Sequence, residues 1–226
     1  MATKSEAHSN PGTASIESEA DLEQGIRALR RKCHVMRKVH DATGMPPLRR
    51  RGGGFTGLTR IIVGQQLSVA SANAIWDKCV AGIKPMRAET IAAMSDEDLR
   101  ACGLSGPKVR TMRALSDAVL QKSLRLRRPP HATDTEVHAA LTAVSGIGPW
   151  TADIYILACL GRADAFAAGD LALQIAAQHA FDLDDRPTSD ELLLRAETWR
   201  PWRSVSARLL WSYYRVVKDR NSGAPI

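Results

Sequence analysis

The chain has 226 residues, 44% of them hydrophobic, and carries a formal net charge of +7. That length and apolar content support one large or two closely packed small domains and exclude a wholly disordered chain. The basic balance points to a polyanionic partner, nucleic acid first, and no apolar run approaches the roughly 18 residues of a membrane span.

Residues 1 to about 19 are small, polar and aperiodic, without the apolar stretch of a secretory signal, and read as a disordered tail. From Ala20 to Val39, Leu22, Ile26, Leu29, Cys33 and Met36 recur at helical spacing, predicting one amphipathic helix with Arg27, Arg30, Arg31 and Lys32 on its other face. The stretch TGMPPLRRRGGG breaks it. Helices follow over Phe55–Gly64 and, after a Gln65-Gln66 break, over Ser68–Ile83 with Ser68 as N-cap. Ser95 caps a short helix, and another begins after the turn Ser105-Gly106-Pro107. The connection SLRLRRPPHATD is basic and proline-broken. Five helices remain, over Thr135–Ala143, Trp150–Leu160, Leu171–Ala180, Ser189–Glu197 and Ser204–Val217. With no alternating β-branched runs, the expected fold is all-α, a two-lobed bundle of about ten helices. The expected lobes are residues 20–125 and 126–220, with the first helix free to pack on the C-terminal lobe and 221–226 a tail.

Cys33, Cys79, Cys102 and Cys159 lack the spacing of a zinc knuckle or an iron–sulfur motif, so no metal ligands are assigned. They read as buried small hydrophobes or free thiols in a reducing compartment.

The segment VSGIGPWTADIYILACLGRADAFAAGDLALQ concentrates the chemistry. One helix ends, the chain turns through Gly146-Ile147-Gly148, and the next begins with Pro149, whose missing N–H suits the first helical position. The exposed amides of that helix start form an anion site, and in a basic protein a DNA phosphate is the natural anion. Taken alone, the glycines are an ordinary turn and Gly169-Asp170 before LALQIAAQHA is an ordinary N-cap.

Together, in the order hairpin, helix, loop, Gly-Asp, helix, the segment resembles the helix–hairpin–helix DNA glycosylase superfamily. FTGLTRIIVGQQLSVASANAIWDK, LRACGLSGPKVRTMRALSDAVL and WRPWRSVSARLLWSYYR are similar to segments of its 3-methyladenine DNA glycosylases of the bacterial type II and yeast kind. The resemblance covers roughly Phe55 to Val217.

The resemblance implies that Asp170 is the catalytic carboxylate. It implies a monofunctional enzyme, because Trp150 stands where bifunctional members carry a Schiff-base lysine. Trp150 and Trp211 match aromatic pocket positions, where a cationic base gains on the order of 1–2 kcal/mol per ring. Ile154 and Leu171 depart from the pattern, each standing where a tyrosine is found, and Asp153 is either a pocket group or a surface charge. Trp76, Trp199 and Trp202 read as packing.

In the segment Gln65, Gln66, Leu67 and Ser68, the resemblance places the wedge that enters the duplex at Gln66 or Leu67. Gly146, Gly148 and Thr151, with Gly106 and Lys108 at the other turn, are the implied phosphate contacts, and Arg49, Arg50 and Arg51 add non-specific attraction. The implied partner is double-stranded DNA containing damaged bases, approached by a monomer in the bacterial cytoplasm or the eukaryotic nucleus. No cofactor is expected beyond a monovalent cation that hairpin carbonyls could hold by analogy. Two other readings remain open: a non-catalytic damage-binding protein, and a monofunctional glycosylase for deaminated or etheno bases.

Overall fold

A computed structural model describes residues 14–126 and 132–221. Among them the regular structure is twelve α-helices with one π and one 3-10 turn, and the only β pairing is an isolated bridge between Ser15 and Arg162. Among the described residues no helix is long and apolar enough to cross a membrane.

The chain divides into two compact units, and the division does not follow the expected boundary near residue 126. The first unit takes residues up to 48, 161–166 and those from 171 onward. It holds α1 (Glu19–Lys32), α2 (His34–Thr43), α10 (Leu171–Ala180), α11 (Ser189–Ala196) and α12 (Arg203–Asn221). The second takes 49–160 and 167–170. It holds α3 (Gly54–Gly64), α4 (Val69–Gly82), α5 (Ala88–Ala93), α6 (Asp96–Ala101), α7 (Gly106–Leu120), α8 (Asp134–Thr142) and α9 (Pro149–Ile154).

In the first unit α2 and α10 pack on α12 and bury Leu22, Leu29, Met36, Leu173, Leu209 and Leu210. Trp199 is a core residue there, edge-on to Phe166 and stacked with Phe181. Arg208 is also buried, but its guanidinium donates to the carbonyls of Leu48 and Ser204 and to Ser204 Oγ, so the charge stays hydrogen-bonded. In the second unit α3 packs on α4 and α7, and α5 on α7, over Leu58, Ile62, Ile91, Met112 and Leu115.

Several expectations need correction. The single helix over 20–39 is two, because Cys33 adopts extended φ/ψ (−134°, 111°) and ends α1. Leu29, Cys33 and Met36 keep a helical spacing across that break, so periodicity did not betray it. Of the expected tail, residues 1–13 lie outside the described residues, but 14–18 are ordered. Ile16 is fully buried, its N–H donates to Gly161 O at 2.7 Å, and Ser18 caps α1 in a capping box. Helix α5 was not expected. The helix expected over Trp150–Leu160 widens after Ile154 into a π turn, Tyr155–Cys159. Residues 222–226 of the C-terminal tail, and 127–131 of the basic connection, also lie outside the described residues.

Candidate active site

The hairpin lies in the second unit and joins α8 to α9. Gly146 has φ +83°, and a Cβ added to it would run into the Thr111 side chain, so glycine is required there twice over. Ile147, 3% exposed, plugs the turn into the core, and its N–H donates to Val144 O at 3.0 Å. Gly148 is the extended N-cap of α9, with Pro149 in its first turn. Asp153 on α9 faces His138 on α8, with Oδ1 and Nε2 3.6 Å apart.

The turn from α3 to α4 carries the expected wedge. Gln66 takes a left-handed φ of +56° and is exposed, and Leu67 is 37% exposed. Ser68 caps α4, its Oγ accepting from Ser71 N at 3.1 Å. Gln65 points elsewhere: its Nε2 donates to Thr151 Oγ1 at 2.8 Å and to Gly146 O at 3.3 Å. Thr151 is itself only 2% exposed, so its hydroxyl is committed to this packing. Lys108 is committed as well. Its Nζ donates to Val63 O at 2.7 Å in the last turn of α3, and desolvation pulls its pKa below the ordinary lysine value. Gly106 opens α7 two residues earlier.

Asp170 and Trp150 meet. The buried run Ala165–Ala168 returns the chain, Asp170 N donates to Ala167 O at 2.9 Å, and the half-buried carboxylate accepts from Trp150 Nε1 at 2.8 Å. A hydrogen bond to an ionised acceptor is shorter and stronger than a neutral one, and this one fixes the indole beside the carboxylate. Ile154, one turn after Trp150, is 8% exposed. Leu171 and Trp211 belong to the first unit, on α10 and α12; Leu171 is 54% exposed and Trp211 half-buried.

Some supporting residues were not anticipated. Tyr155, 1% exposed, accepts from Gly54 N at 2.9 Å, tying the start of α3 to the helix that carries Trp150, and burial raises its pKa. Arg50 donates to the carbonyls of Ala158 and Cys159 at 3.3 and 2.9 Å, so it closes the π turn and not only adds surface charge. No sequence pattern announced these bonds, whose partners lie 101 and 109 residues away along the chain.

The glycine-hinged hairpin is thus joined to an aspartate twenty residues beyond its tryptophan by the Trp150–Asp170 bond. The chain belongs to the HhH-GPD superfamily of base excision DNA repair proteins, whose model matches residues 59–203. It is 30% identical over 162 residues to the putative DNA-3-methyladenine glycosylase YfjP of Bacillus subtilis, covering 68% of this chain and 56% of that protein. It therefore spans little more than half that relative's length. It is 29% identical to DNA-3-methyladenine glycosylase 1 of Schizosaccharomyces pombe over 71% of this chain and 72% of that one. Among solved structures, the DNA-3-methyladenine glycosidase of Bacillus halodurans aligns with a TM-score of 0.73 at 26% identity, covering 91% of this chain and 94% of that one. The fold also matches Schizosaccharomyces pombe 3-methyladenine DNA glycosylase in complex with abasic DNA, with a TM-score of 0.76 at 23% identity over 88% and 97%.

Proposed function

We propose that this protein is a monofunctional DNA glycosylase. It flips alkylated purines of the 3-methyladenine and 7-methylguanine type out of duplex DNA and hydrolyses the N-glycosidic bond, leaving an abasic site. The observation that carries the reading is the 2.8 Å bond from Trp150 Nε1 to Asp170, which holds an aromatic face and a carboxylate together beside the hairpin. Family membership and the names of the relatives support the substrate class.

The chemistry follows from those two residues. Asp170 orients or deprotonates the attacking water and offsets the positive charge that develops on the sugar as the base departs. The water oxygen bonds to C1′, the C1′–N bond breaks, and the bonding electrons leave with the base. An alkylated purine is already cationic, so it departs without a dedicated general acid. Trp150 has no amine, so no Schiff base forms and the strand stays intact.

Gln66 or Leu67, exposed on the α3–α4 turn, fills the vacated stack, while Gly146, Gly148 and the Thr151 main chain face the phosphates. The working unit is a monomer on double-stranded DNA, in whatever compartment holds the chromosome.

The test is base release from methylated duplex DNA by the wild type beside Asp170→Asn, with and without later alkali. Free 3-methyladenine, strand breaks only after alkali, and a loss on the order of 100-fold in the variant support the reading. Tight lesion binding with no released base would make the protein a damage-binding module. Release confined to deaminated or etheno bases would keep the enzyme and replace the substrate, an outcome to which the aliphatic Ile154 and Leu171 give a physical basis.

A further inference from the structure

The turn that carries Gln66 and the hairpin that carries Gly146 are about eighty residues apart, yet one side chain joins them. Gln65 donates to Thr151 Oγ1 at 2.8 Å and to Gly146 O at 3.3 Å. Thr151 is 2% exposed, so the shorter bond is shielded from water. Two more contacts brace the same spot. Lys108 Nζ holds Val63 O at 2.7 Å, two residues before Gln65, and the Thr111 side chain occupies the space that Gly146 leaves open. The end of α3, the start of α7 and the hairpin are therefore tied to one another where the turn leaves the protein.

We infer that Gln65 is a positioning residue that couples the duplex-entering turn to the phosphate-holding hairpin, so that grip on the backbone sets how firmly the wedge, Gln66 or Leu67, is driven into the stack. This deepens the glycosylase reading and rests on its base-flipping step. A wedge pushes against stacked bases, and a turn free to recoil yields instead of separating them. The cross-tie gives the turn something to push from. A glutamine amide suits the task because its single NH2 group serves both acceptors, the hairpin carbonyl and the threonine hydroxyl. Gln66 or Leu67 contacts the duplex; Gln65 acts through the turn that carries them.

The experiment uses a duplex carrying a tetrahydrofuran abasic analogue next to 2-aminopurine, whose fluorescence rises on unstacking and requires no turnover. Wild type, Gln65→Ala, Thr151→Val and the double variant are compared for unstacking rate, affinity for undamaged duplex, and Tm. The expected result is an unstacking rate reduced on the order of tenfold in each single variant, with the duplex affinity of Gln65→Ala changed less than about threefold. The double variant should be little worse than either single, because both remove one connection.

An unstacking rate within about twofold of wild type in Gln65→Ala overturns the inference. So does a fall of rate, affinity and Tm in parallel, which is what simple support of the fold produces. The two readings fail separately. If wild type unstacks the duplex but releases no base from methylated DNA, the enzyme reading falls and the Gln65 variants still decide the coupling. If wild type binds without unstacking, base flipping and the coupling fall together.

Discussion

The indole N–H of Trp150 and the bulk of its ring make separate contributions, and substitution can separate them. Trp150→Phe keeps an aromatic face but removes the indole donor that lies 2.8 Å from the Asp170 carboxylate. Single-turnover base release should fall on the order of tenfold, as for loss of one hydrogen bond to a charged group, with DNA affinity nearly unchanged. Trp150→Ala also removes the ring and should weaken retention of the flipped base. Equal rates for wild type and Trp150→Phe would show that the bond does not position the carboxylate. Gly146 gives a sharper case. Alanine there needs a left-handed backbone at φ +83° and puts a Cβ into Thr111, so Gly146→Ala should cost about 2–4 kcal/mol in chemical denaturation. Adding Thr111→Ala should recover part of that cost, because it removes the nearest atom but not the strain.

Helix boundaries show what local chemistry can and cannot announce. The caps Ser68 and Ser95 were readable because a hydroxyl three residues before an otherwise orphaned amide has an obvious local use, and both side chains make that bond. The hairpin was readable because two glycines followed by a proline mark a turn into a helix, and Gly146 takes the positive φ that the pattern implied. Cys33 was not readable as a break, since a single extended residue leaves the apolar spacing intact. The ordering of residues 14–18 was also hidden, because it depends on partners at Gly161 and Arg162, far along the chain. The Trp150–Asp170 bond belongs to the same class: both residues were identified, but their contact depends on the path of the loop between them. The π turn adds a testable consequence. Tyr155 opens it and accepts from Gly54 N at 2.9 Å. Tyr155→Phe leaves that amide without its acceptor in a nearly dry site and should cost about 1–3 kcal/mol by urea denaturation. A variant as stable as wild type would show that the start of α3 does not depend on this contact.

Across the whole molecule, two buried thiols and the arrangement of positive charge govern the response to solution conditions. Burial pushes Cys79 and Cys159 up to about 11 from an ordinary 9.0. Between those values the unfolded chain releases both protons while the folded chain keeps them, so stability falls as pH rises from 9.0 towards about 11. Each thiol should contribute a decline of roughly 1–2 kcal/mol across that window, and a Cys79→Ala/Cys159→Ala variant, though weaker at pH 7, should show a flatter decline. Salt dependence tests how much of the +7 charge reaches DNA. Many cations already serve the protein: Arg203 and Arg200 hold Asp164, Arg113 holds Asp96, Arg30 holds Asp41, and Arg50 and Lys108 hold backbone carbonyls. Affinity should therefore track a few phosphates and not the net charge, with a log–log slope of about −3.6 if four are neutralised. Arg51→Gln, which removes one of the three consecutive arginines before α3, should lessen that slope by about 0.9. Lys108→Met should leave the slope alone and lower stability instead, because its ammonium is spent on Val63 O at 2.7 Å. Anisotropy titrations of duplex DNA across a salt series decide between the two roles for Lys108. A slope reduced by about one unit in Lys108→Met would return it to the phosphate backbone.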